Sequence, residues 1–178
     1  MSAKKKNQTK LLTVGAMLSA LGVVILALGS VITTLDLTVA ALASFFCIYA
    51  VIEMGGPYPW MIWAVISFLG ILILPQKSPA ILFLFIGCYP ILKEKLEKLP
   101  RWLGWLLKLV TFHVMAGLFL LVTFLFFPAD LAEYVGWMLV GAYALGVITF
   151  VVYDFALSKV ITLYLLRFRD RLGLKLKK

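Results

Sequence analysis

Long apolar stretches alternate with short polar breaks along almost the whole chain. A bilayer core asks for about 20 consecutive apolar residues per helix, within a range of roughly 17–25. By that measure the pattern predicts six transmembrane helices. The first reads Leu11 to Thr33, with a polar turn around Asp36 after it. The second reads Thr38 to Ile52 and is closed by Glu53 and the breaker Gly55-Gly56-Pro57. The third runs from Tyr58 to Leu74 and ends at Pro75-Gln76-Lys77-Ser78-Pro79. The fourth starts at Pro79, a favoured first-turn residue, and is apolar to Leu92. The next six residues, Lys93 to Lys98, still favour a helix, so one helix is expected, bent at Pro90 and stopped by Pro100. The fifth reads Trp102 to Phe127, and Pro128-Ala129-Asp130 makes the following turn. The sixth reads Tyr134 to Leu166, long enough to tilt or to extend into the cytoplasm. The expected fold is therefore all-α: a polytopic membrane bundle over 11–166, flanked by basic tails at 1–10 and 167–178.

Composition agrees with this pattern. Of 178 residues, 63% are hydrophobic and 14% charged, against about 45–50% and 25% in a soluble domain. A water-soluble fold could not hide that much apolar surface, and the length leaves space for one bundle and no second domain. The net charge of +9 would suggest nucleic acid in a soluble protein, but here the basic residues sit between apolar stretches. Anionic lipid headgroups are the expected partner, and nucleic acid is not.

The basic residues also orient the chain. With the N-terminus inside, Lys4, Lys5, Lys6, Lys10, Lys93, Lys95, Lys98, Arg101, Arg167, Arg169, Arg171, Lys175, Lys177 and Lys178 all lie inside, and Lys77 alone lies in an outer loop. The positive-inside rule then predicts cytoplasmic termini and an even number of spans. The first apolar run exceeds a signal-peptide core, so it is expected to be retained as a helix. Trp60, Trp63, Trp102 and Trp105 fall near the cytoplasmic interface, where aromatic belts form.

Motifs for chemistry are sparse. One histidine excludes a two-histidine zinc helix, and neither a phosphate-binding loop nor a nucleophile elbow is present. No enzyme, cofactor or metal is expected. Cys47 and Cys88 sit in apolar runs without zinc spacing and read as small hydrophobes. Polar groups inside the spans are more informative, because burying them in lipid is costly. His113 lies 11 residues from Trp102, and Asp154 lies 11 from Leu165. At 1.5 Å per residue both stand roughly 16 Å deep, with Lys108 and Lys159 at roughly 9 Å. An intramembrane pair of Asp154 with His113, with a lysine nearby, is the expectation; it would either bind or relay charge or simply tie two helices together. In the outer loops, Lys77, Asp130, Glu133 and Tyr134, followed by Trp137, would line the mouth of an outward pocket, unless they are ordinary solvated turn residues and interface anchors. The first helix also carries small residues four apart: Ala16 with Ala20 on one face, Gly15 with Ser19 on another. Such a face admits another helix closely, either within the bundle or from a partner.

Lys4-Lys5-Lys6 followed by Ala16-Met17-Leu18-Ser19-Ala20 resembles the start of the S components of energy-coupling factor (ECF) transporters. The overall layout is similar across nearly the whole chain. That resemblance implies a six-helix cell-membrane protein that captures a small molecule, such as a vitamin or precursor, from outside. It implies docking through Ala16 and Ala20 to a transmembrane T component that works with two ATPase subunits. It also implies a ligand site near Lys77, Asp130, Glu133, Tyr134 and Trp137. The N-terminal histidine of metal-binding versions is missing. A second class also fits the size and helix count: structural or assembly proteins of the cell envelope resembling MreD, which need partner surfaces and no ligand.

Overall fold

A computed structural model of the chain describes residues 3–126 and 136–168. Helix α1 spans Ala3–Val31, and a 3-10 turn at Thr33–Leu35 leads into α2, Asp36–Glu53. Then come α3 at Tyr58–Ile73, α4 at Ser78–Ile86, α5 at Tyr89–Leu96 and α6 at Arg101–Phe126. Helix α7 covers Gly136–Leu163 and continues as a π-helical turn over Tyr164–Phe168. No strand occurs among the described residues, so the fold is all-α. Helix α1 begins well before the apolar run, because Ala, Lys and Gln in residues 3–10 are strong helix formers.

The turn between α2 and α3 depends on backbone freedom. Gly55 and Gly56 both adopt positive φ, at 62° and 59°, a conformation that costs residues with a Cβ roughly 1–2 kcal/mol. Pro57 and Pro59 then start α3, where a missing N–H is no loss.

The fourth apolar segment is two helices rather than one bent helix. Pro90 has no N–H, and its ring would meet the carbonyl of Ile86, four residues back. The helix accordingly stops at Ile86, turns through Gly87 and Cys88, and restarts at Tyr89. Gly87 N–H donates to the Phe83 carbonyl at 2.7 Å. A methyl on Gly87 would lie 2.7 Å from the Phe83 ring and 2.8 Å from that carbonyl, so only glycine fits. The break is also buried, since Gly87, Cys88, Tyr89 and Pro90 are all covered. Irregular backbone at membrane depth is tolerated under that condition.

The helices form two compact units, one from α1 to Lys95 and the other from Leu96 through α7. In the first, α1 packs on α2 and α3, and α4 packs on α2 and α3. Its core gathers Leu26, Val39, Cys47, Ile66 and Phe83, among others. A small-residue seam on α1 makes this packing close. Gly15, Ser19, Gly22, Leu26 and Gly29, spaced alternately four and three apart, are all buried. A methyl on Gly22 would stand 2.5 Å from Ile66 Cδ1, and one on Gly29 would strike Val39 Cγ2. Cys47 and Cys88 are buried free thiols, as read from the sequence.

Four stretches are long and apolar enough to cross a membrane: Gln8–Val31, Asp36–Glu53, Trp102–Leu121 and Val140–Arg167. The chain is a membrane protein on that showing. Helix α3 is apolar but shorter, at 16 residues.

Candidate functional site

Two places bring chemistry-bearing or surface-defining residues together, one in each unit. The first is the outer face of α1. The buried seam commits Gly15 and Ser19 to internal packing: Gly15 faces Met54 and Ile62, and the Ser19 hydroxyl donates to the Gly15 carbonyl at 2.9 Å. Ala16 and Ala20, one position on, are turned outward and exposed. Ala16 also lines an apolar groove of about 200 Å³ between α1 and α3, walled by Leu12, Met61, Ile62 and Val65. Sequence alone offered both small-residue faces; the fold uses one and leaves the other outside.

The second place is a charged cluster in the second unit. Asp154 on α7 is 3% exposed, and its Oδ2 accepts a hydrogen bond from Lys108 Nζ on α6 at 3.0 Å. Glu97 Oε1, in the turn before α6, lies 3.6 Å from the same ammonium. The Trp105 ring centroid is 5.5 Å away. Around the pair, the Ser158 hydroxyl donates to the Asp154 carbonyl at 2.9 Å.

The expected pairing of Asp154 with His113 is therefore corrected. His113 is exposed, and its Nδ1 sits 2.7 Å from the Leu109 carbonyl of its own helix. Its ring packs edge-on against Phe112 and Tyr143. The physical reason is reach. Depth counted along the backbone matches Asp154 to His113, but the four-carbon stem of Lys108 carries its ammonium to Asp154 from another depth. The lysine ammonium also neutralises the buried carboxylate, while the His113 ring is engaged within its own helix. Lys159 is exposed.

The outer-loop candidates are placed as follows. Lys77 is half-buried in the α3–α4 turn, and its Nζ donates to the Leu74 carbonyl at 2.6 Å. It so caps the C-terminus of α3, where a cation is favoured. In the same turn Gln76 N–H donates to Ser30 Oγ at 3.0 Å, tying the turn to α1. Trp137 belongs to the second unit and is 70% exposed. Asp130, Glu133 and Tyr134 lie outside the described residues.

Sequence reasoning missed two further charges. Glu53 and Lys93 are each 1% exposed in the first unit, and each is engaged by a neighbour. Glu53 stands beside a breaker and Lys93 opens a charged run, so neither stands out as a charge inside an apolar stretch. The signal available was only that both sit within one turn of an apolar segment.

The chain matches no family model, no curated protein and no solved structure. What stands is the class that the geometry defines: an all-α membrane protein with an unpacked small-residue face on its first helix and a buried ion pair between α6 and α7.

Proposed function

We propose that the protein is a multi-pass cell-membrane subunit that works by docking to a membrane partner, and specifically that it is the substrate-binding subunit of an ECF-type uptake transporter. The observation that carries this reading is the division of labour on α1. Its Gly15–Gly29 seam is used for internal packing, while Ala16 and Ala20 stay exposed beside an apolar groove. A membrane offers no hydrophobic drive between helices, so a close-approach face of small residues is what a partner helix would use. In this reading the chain crosses six times with both termini in the cytoplasm, the fourth crossing being made by α4 and α5 together. The small-molecule substrate is captured from the outer side of the membrane. The T component docks along Ala16 and Ala20, and two ATPase subunits supply the energy. The chain itself is not an enzyme and needs no cofactor.

A second reading is favoured by a separate observation. Lys77 is engaged as a helix cap, and the groove on α1 is apolar. An envelope assembly protein, with partner surfaces and no ligand, would have such features. Affinity purification of the tagged protein from its native membrane, at its natural level, separates the two. A large membrane protein recovered with two ATPases is the expected result. Recovery of envelope-synthesis proteins would establish the second reading, and recovery of no partner would contradict both.

A further inference from the structure

His113 is the only histidine in the chain. It falls near the centre of the Trp102–Leu121 apolar span. Tyr143 of α7 stands at the same depth, its ring centroid 5.8 Å from that of His113. Phe112 flanks both rings: its centroid is 5.7 Å from His113, 6.2 Å from Tyr143 and 4.9 Å from Phe150. His113 Nδ1 sits 2.7 Å from the Leu109 carbonyl, which can only accept, so Nδ1 carries a proton. In the neutral ring, Nε2 is then an acceptor. Tyr143 offers a hydroxyl donor that makes no hydrogen bond among the described residues. Both side chains are exposed, Tyr143 at 40%.

Lipid tails offer neither group a partner, and polar side chains at mid-membrane depth ordinarily bond across a helix contact. One further feature lets a helix come close. Gly117, one turn from His113 on the same face of α6, is exposed, and a methyl there would meet nothing within 4 Å. We propose that His113, Gly117 and Tyr143 form the face through which two copies of the chain pair in the membrane. The Tyr143 hydroxyl of each copy donates to His113 Nε2 of the other. Symmetry identifies the occupant. Two copies inserted in the same direction pair about a two-fold axis along the membrane normal, which preserves depth. A face with a donor and an acceptor at one depth is thereby complementary to itself, and two reciprocal bonds satisfy all four groups. The interface lies in the second unit and does not rest on the transport reading, which uses α1.

Energy transfer between donor-labelled and acceptor-labelled copies of the full-length protein measures the pairing, in phosphatidylcholine vesicles of rising protein-to-lipid ratio. The unsubstituted protein should exceed random mixing, with a half-maximal density that defines its affinity. Tyr143→Phe keeps the ring and takes both reciprocal bonds from the pair. The half-maximal density should then rise about eightfold, as for two interhelical contacts of average strength. His113→Phe should do the same, and the double variant should be no weaker than either single one, because each removes the same two bonds. Gly117→Leu should abolish transfer above random mixing, since its side chain fills the space the second copy needs. Melting midpoints at the lowest density, where copies stand apart, should not change. Random mixing of the unsubstituted protein at every density would overturn the proposal. So would pairing that ignores Tyr143→Phe or Gly117→Leu, which would put the contact on another face, or additive effects in the double variant. A lowered melting midpoint for Tyr143→Phe at the lowest density would also overturn it, because the hydroxyl would then be bonded within its own chain.

Discussion

At the scale of single residues, polar groups satisfy one another where water is scarce. The break after α4 removes the ordinary helical partner of the Leu84 carbonyl. That carbonyl instead accepts a hydrogen bond from Trp63 Nε1 of α3 at 3.0 Å. Trp63→Phe keeps the ring and removes the donor. It should destabilise the protein in detergent melts by about 1–3 kcal/mol, the cost of an unmet buried acceptor; no change would mean that the carbonyl finds another donor. The same logic applies to the ion pair. A double-mutant cycle of Lys108→Met with Asp154→Leu should give a coupling of about 0.6–1.7 kcal/mol, as for other interhelical polar contacts in membranes. The cycle of His113→Ala with Asp154→Leu should be additive within about 0.5 kcal/mol. Coupling to His113 and not to Lys108 would reverse the assignment made above. The residues of this pair were legible in the sequence, since Asp154 and Lys108 stood out as charges inside apolar runs. Their pairing was not legible. Counting residues gives the depth of a Cα, and a lysine places its charge several bonds away from it.

At the scale of elements, α1 shows how one helix serves two environments. Its inward seam of Gly15, Ser19, Gly22, Leu26 and Gly29 fits the ridges of α2 and α3, and Ala16 with Ala20 faces away. Gly22→Leu should therefore destabilise by about 1–3 kcal/mol through overpacking against Ile66. Ala16→Leu should stay within about 0.5 kcal/mol of the parent. Equal effects in thermal melts would show that the two faces are not distinct. The elements themselves were largely legible. The apolar runs and their Gly and Pro punctuation predicted α2, α3 and α6 to within a few residues at each end. The seam was not, because small residues lie on two faces of α1 and spacing alone does not say which face has a neighbour. The α4–α5 break was misplaced for a related reason. Pro90 was read as the site of the bend, but a proline disrupts the turn before itself, and the helix ends at Ile86.

At the scale of the whole molecule, the apolar helices set the solvent, and the proposed orientation follows from the basic residues. The proposed topology places Lys77 outside and Lys98 inside. An impermeant thiol reagent checks this on intact cells, with Cys47 and Cys88 contributing little because both are buried. Lys77→Cys should label directly, and Lys98→Cys only after permeabilisation. The reverse pattern would invert the topology, and labelling of both from outside would remove a crossing. In the proposed function, the outward face of α1 is the surface that meets a partner. The most direct measurement of that claim is co-purification from the native membrane of the double variant Ala16→Leu/Ala20→Leu beside the unsubstituted protein. The account predicts that the variant folds, with an unchanged melting midpoint, and loses the membrane partner that the unsubstituted protein retains. A folded variant that keeps its partner would contradict it.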